Sequence, residues 1–185
     1  MEQQIKIIII LSDKDPMLRK HSTDLDVNNI KPEEQDLIDL MVKYIDACYN
    51  DEAEKYGIKP GIAVASNQVG LFKKVVYVHF KIKETEYKYL IANPKITAYS
   101  YAIGYLSDGE GCLSVENKHK GIVPRRGRII VQAYDLINKK EITIDASGML
   151  AICLQHEIDH LSGTLYYDHI NKEDPMFNKP EWIKI

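Results

Sequence analysis

The sequence predicts an α+β fold within one domain spanning residues 1–185. Two observations carry that prediction. Helical periodicity is confined to two segments, one near each end of the chain. Between them lies a run of short β-branched and aromatic stretches separated by turn residues. Strands grouped between helices, rather than alternating with them, are the α+β pattern. A length of 185 residues suits one domain at roughly 100–200 residues each, with enough chain to bury a real core.

The elements follow in order. Ile5 to Leu11 is apolar but short and interrupted by Lys6. It lacks a basic leader and a small-residue cleavage site, and it is too short to span a bilayer, so it reads as a strand. A helix is expected from about Pro32 to Lys55. Leu37, Ile38, Leu40, Met41, Tyr44, Ile45 and Cys48 recur at helical spacing. Acids stand at its start, Pro32 suits the first turn, and Gly57 suits the stop. Strands are expected at 61–66, 75–80, 87–92, 95–106, 128–134 and 141–145, with Asn138-Lys139-Lys140 turning between the last two. A second helix is expected from about Ser147 to Leu161. Asp145 or Ser147 can cap it, and Gly163 lies just past its end.

Composition narrows the function classes. The formal charge is −3, with both signs interspersed, which argues against a dedicated nucleic-acid binder. Cys48, Cys112 and Cys153 are odd in number and lack paired spacing, so a disulfide framework is not expected. A reducing, cytoplasmic compartment fits better, with no membrane association. Lys118, His119, Lys120, Arg125, Arg126 and Arg128 form a local basic cluster, read first as solvated surface. Its functional alternative, implied only with the family resemblance given below, is electrostatic docking near the ribosome. Arg125 has a further option: pairing with Glu110.

The chemistry concentrates in the second helix, at His156-Glu157-Ile158-Asp159-His160. Residues i and i+4 share a helix face, so both imidazoles reach one ion, with Glu157 beside it as general base. Met149, Ile152 and Cys153 continue that face. The fold expectation is therefore antiparallel β-sheets packed around a central metal-binding helix, preceded by the N-terminal amphipathic helix. A hydrolytic site wants three protein ligands and an open position. His169 is one candidate, but the metzincin spacing falls on Tyr166 instead. Glu173 and Glu181 lie on no convincing helix. Cys112, in Glu110-Gly111-Cys112-Leu113-Ser114, is the other candidate. Its competing reading is a small buried hydrophobe, the one assigned to Cys48 and Cys153. On residue patterns alone the third ligand stays open.

Three separated blocks resemble the peptide deformylase family. They are Gly61-Ile62-Ala63-Val64-Ala65-Ser66-Asn67-Gln68-Val69-Gly70, Glu110-Gly111-Cys112-Leu113-Ser114, and Gln155-His156-Glu157-Ile158-Asp159-His160-Leu161. Asp15-Pro16-Met17-Leu18-Arg19 is similar to the family's N-terminal segment. The long stretch between the first two blocks, and Val115, resemble its bacterial type 2 branch. The resemblance implies hydrolysis of the formyl group from N-formylmethionyl nascent peptides, releasing formate. It implies Cys112, His156 and His160 as ligands of one divalent metal, Fe(II) first, with Ni, Co or Zn as substitutes. It implies Gln68 and the Leu113 backbone N–H as donors to the formyl oxygen. Ile62, Leu113, Met149, Ile152 and Cys153 are the expected walls of the methionine pocket. The peptide is expected to add as a strand near residues 61–63 and 110–111, touching Ala63, Glu110 and Gly111.

The departures fall in the first block. Ala63 stands at a usual glycine, where its methyl is expected to crowd the substrate backbone. Val64, Ser66 and Asn67 replace Leu, Ala and Pro. A monomer is expected, with no direct nucleic-acid recognition. The rival readings are a small zincin-like metallopeptidase and an inactive protein keeping the metal site as a scaffold.

Overall fold

The computed structural model describes residues 10–185. The strand expected over Ile5–Leu11 lies outside them except for its last two residues. Of these, Leu11 donates its N–H to the Gln68 carbonyl at 2.8 Å.

Helix α1 spans Pro32–Tyr49. The Glu34 carboxylate accepts the Lys31 N–H at 3.0 Å, which holds the first turn. The helix stops six residues short of the expected Lys55. Asp51 turns into the left-handed region at φ 59°. The next residues then close in turns, with Glu52 N–H on the Ala47 carbonyl and Ile58 N–H on the Ala53 carbonyl. The apolar stripe ends at Cys48, so nothing beyond it draws further turns against the sheet.

The strands are β1 (Ala63–Ala65), β2 (Val75–Ile82), β3 (Thr85–Tyr99), β4 (Ile103–Tyr105), β5 (Arg125–Arg126), β6 (Arg128–Asp135), β7 (Lys140–Ser147) and β8 (Ile183–Lys184). The larger sheet has the order β1-β2-β3-β6-β7, antiparallel throughout. The smaller has the order β5-β4-β8, and its β4–β8 pair is parallel, a departure from the all-antiparallel expectation. The strands expected at 87–92 and 95–106 are also redrawn. The first runs through into the second, and only Ile103–Tyr105 crosses into the small sheet. Asn93-Pro94 is a bulge, not a break. The Asn93 side chain clamps the Leu25 N–H and carbonyl at 2.8 and 3.0 Å, which fixes it.

Two helices cover the two faces of the larger sheet. Alternation along β2 divides the core. Val75 and Tyr77 pack with Ile38, Met41 and Ile45 of α1. Val76 and Val78 pack on the opposite face with Ala151 and Leu154 of helix α2, Gly148–Leu161. A strand buried on both faces reads as the continuous apolar run seen at 75–80. Helix α2 touches β1, β2 and β7 of the large sheet and β4 and β5 of the small one. It is therefore central, as expected, and its burial extends beyond the metal face to Leu150, Ala151 and Leu154. Ser147 holds the N-cap position without a side-chain bond. Asp145, the other expected cap, pairs with Arg128 instead. Gly148, at φ 57°, makes the abrupt strand-to-helix junction that a side chain would strain. Among the described residues, no helix is long and apolar enough to cross a membrane.

Candidate metal centre

Helix α2 sets the His156 and His160 rings with centroids 5.1 Å apart. Cys112 arrives from the loop before β5, with Sγ 3.2 Å from His160 Nε2. One donor atom from each of the three lies within 4.8 Å of the others, and this is the one such group among the described residues. All three side chains are buried. The other candidate ligands fall away. His169 points at Asp159, with Nε2 2.7 Å from Oδ2. Glu173 and Glu181 are exposed at the surface.

Buried charge orients the site. His156 Nδ1 sits 2.7 Å from Glu110 Oε2, which turns Nε2 toward Cys112 and His160. Arg125 grips Glu110 through two bonds, Nε at 2.8 Å and Nη2 at 3.0 Å, and also reaches Asp159. Arg125 is only 4% exposed. Lys118, His119, Lys120 and Arg128 are exposed, as a solvated surface requires, while Arg125 takes its other expected option, the pairing with Glu110 in the interior. Arg126 lies over the Tyr99 ring and Arg128 pairs with Asp145. Tyr166, which the sequence did not flag, stacks 6.0 Å from His156 at 17°.

The titration behaviour follows from these contacts. Burial pushes the Glu110 carboxyl up, but hydrogen bonds from His156 and Arg125 outweigh it and hold it at about 2. Burial pushes His156 down, yet its contacts with Cys112 and Glu110 raise it to about 10. Burial and the neighbouring His156 drive His160 well below its ordinary value. Ligation of one divalent cation by both imidazoles requires their neutral forms, so metal binding there is coupled to loss of the His156 proton. The donor set, one sulfur and two imidazoles, suits a late first-row metal.

Glu157 stands on the flank of the same face. Among the described residues, its buried Oε2 has no hydrogen-bond partner. Burial raises its carboxyl to about 7, Glu110 adding to the rise and His156 opposing it. A base poised near neutrality is what proton transfer to and from water requires.

Gln68 comes from the 3-10 helix Ser66–Val69 that follows β1. Its Oε1 accepts the Ala65 N–H at 2.8 Å, and this leaves Nε2 facing Ser114 Oγ at 3.0 Å and Cys112 Sγ at 3.6 Å. Among the described residues, the Leu113 N–H donates to no protein acceptor. A cleft of about 460 Å³ opens beside these groups. Ile62, Ala63, Glu110, Gly111, Leu113, Met149, Ile152 and Cys153 all line it, together with Cys112, His156 and Glu157. Among the described residues, β1 is the edge strand of the larger sheet, and its Ala63 lines this cleft. Ala63 belongs to the core on the α2 face.

The family model described as polypeptide deformylase matches residues 7–176. A peptide deformylase of Ureaplasma parvum serovar 3 is 45% identical over 176 residues, covering 95% of this chain and 89% of its own. A protein named peptide deformylase 2 from Bacillus subtilis (strain 168) is 40% identical over 174 residues, covering 93% of each chain. Among solved structures, peptide deformylase from Ehrlichia chaffeensis superposes with a TM-score of 0.71 at 29% identity, covering 91% of this chain and 90% of its own.

Proposed function

The chain belongs to the peptide deformylase family, metal-dependent hydrolases that remove the formyl group from the N-terminal methionine of nascent polypeptides, and we propose that Cys112, His156 and His160 hold its metal as Fe(II). The observation that carries this reading is the convergence of one thiol and two imidazoles beside the buried Glu157 carboxylate, whose Oε2 has no hydrogen-bond partner among the described residues. When bound, the ion supplies Lewis acidity for the formyl oxygen and for a water.

The protein's own groups account for the other steps. Glu157 takes the water proton at Oε2 as the new C–O bond forms. It returns that proton to the amine nitrogen as the C–N bond breaks, and formate leaves. Gln68 Nε2 and the Leu113 N–H donate to the formyl oxygen as it gains negative charge. One donor of this kind is worth about 3–4 kcal/mol, or roughly 10²–10³ in rate. Met149, Ile152, Cys153, Ile62 and Leu113 enclose the methionine side chain. The substrate backbone pairs along the edge strand β1 and beside Glu110 and Gly111. A monomeric, cytoplasmic protein of a single domain, 1–185, acting on chains as they emerge from the ribosome, completes the reading.

The test is formate release from formyl-Met-Ala-Ser under anaerobic conditions, with Fe(II) or Ni(II). Wild type should turn over with either metal, and Cys112→Ser should lose both metal and turnover. Metal retained in Cys112→Ser would hand the site to a peptidase-like ligand set. Metal bound without formate release would favour the inactive scaffold. Air should inactivate the Fe(II) form faster than the Ni(II) form, and equal loss would speak against iron.

A further inference from the structure

Lys59 connects three parts of the molecule without touching the metal-donor atoms. Its backbone carbonyl accepts the Tyr44 hydroxyl of α1 at 2.9 Å. Its ammonium donates to the Cys112 carbonyl at 2.6 Å and to the Val115 carbonyl at 2.8 Å. The Val115 N–H folds back on the same Cys112 carbonyl at 3.3 Å. Lys59 thus closes the turn that carries the cysteine, from the segment that leads into β1.

The Cys112 carbonyl matters for a geometric reason. It shares a planar peptide unit with the Leu113 N–H, and in the trans form the two point in opposite directions. Whatever fixes the oxygen also aims the N–H. A cation on the oxygen polarises the amide as well, making the N–H a stronger donor. The Leu113 side chain is held from the same side. A Cβ on Gly61 would stand 2.9 Å from Leu113 Cδ2, so the glycine makes room for it.

We propose that Lys59 is a positioning residue for deformylation, orienting and polarising the Cys112–Leu113 peptide so that its N–H stabilises charge on the formyl oxygen. This rests on the oxyanion role given to the Leu113 N–H above. Lys59 itself is exposed, so its replacement leaves the core intact.

The experiment compares wild type, Lys59→Met and Lys59→Arg, each loaded with Co(II) and assayed on formyl-Met-Ala-Ser. Lys59→Met should lower kcat about tenfold, a fraction of what loss of a whole oxyanion donor costs. KM should stay within about twofold, since the contact matters only in the transition state. The thiolate-to-cobalt absorption band, the Co(II) affinity by chelator competition and the melting temperature should match wild type. Lys59→Arg should recover most of kcat. The inference is overturned by a Lys59→Met kcat within about twofold of wild type. It is equally overturned by a loss that tracks a changed cobalt spectrum or weaker Co(II) binding, or that arginine does not repair; each would make Lys59 a plain structural strut. Active wild type with an unaffected Lys59→Met removes this inference alone. Wild type that binds Co(II) yet releases no formate removes the proposed function with it.

Discussion

Two buried histidines on opposite faces of the same sheet have opposite fates. His156, on the α2 side, commits Nδ1 to Glu110 and turns Nε2 toward Cys112 and His160. His79, on the α1 side, is 4% exposed and equally surrounded by carboxylates. Its Nδ1 lies 2.6 Å from Asp46 and its Nε2 2.8 Å from Glu86, while the Tyr49 ring stacks on it at 3.7 Å. Both nitrogens are taken, so His79 is a strut between α1 and the β2–β3 hairpin. A buried histidine among acids is therefore not a metal ligand by composition. It becomes one when a nitrogen is left free and other donors share its target. The carboxylate that orients the ring on one face saturates it on the other.

That contrast can be broken or sharpened by substitution. The largest effect is expected at Glu157→Ala, which should keep its metal and lose roughly 10²–10⁴ in kcat, the range of a positioned acid–base group. Metal analysis beside steady-state kinetics checks this; loss of the ion together with turnover would make Glu157 part of the scaffold. Arg125→Met comes next. It strands Glu110 and Asp159 without their buried cation, at about 3–5 kcal/mol in urea unfolding. With the His156 orientation loosened, metal affinity should fall about 10–100-fold. Unchanged affinity would show that Glu110 holds His156 unaided.

His79→Asn tests the other face. It should cost about 1–3 kcal/mol by removing the ring's bonds to the Asp46 and Glu86 carboxylates and its stacking on Tyr49, while metal affinity and kcat stay at wild-type values. A loss of metal there would end the distinction between the two histidines. The smallest effect concerns pH. Burial raises the Asp46 carboxyl, but hydrogen bonds from Tyr77 and His79, helped by Lys88, bring it below its ordinary value of 3.8. A carboxyl depressed in the folded state stabilises above its unfolded value, and that stability disappears as pH falls through the folded one. Metal-free wild type should therefore exceed Asp46→Asn in denaturation midpoint near neutrality, with the two converging below pH 3.8. A gap that stays constant with pH would place the effect in packing rather than charge.

The sequence was legible where structure is local. Apolar spacing marked both helices, and Pro32 and Gly163 bounded them at the expected ends. It misjudged the end of α1, because a left-handed Asp51 leaves no mark in an apolar pattern. Asn93-Pro94 looked like a strand break because its clamp on Leu25 is a contact across 68 residues. The small sheet went mostly unseen, since strands of two or three residues show no period. Residue patterns left the third ligand open, and only the family resemblance selected Cys112. Glu110 and Arg125 were foreseen as a pair; Tyr166 and Lys59 were not, since a stacking ring and a lysine on two carbonyls have no sequence signature.

What the chain alone determined is the His156–Glu157–His160 geometry. An α-helix puts i and i+4 on one face whatever surrounds it. What only the tertiary structure decided is how the Cys112 thiol comes within reach of both imidazoles, which histidine nitrogen stays free, and how far burial moves Glu157. Cys112 lies 48 residues before His160, and its approach depends on packing that joins the loop, the sheet edge and α2. Coordination and desolvation are properties of atoms that meet in space, so they come into being with the fold rather than with the local sequence.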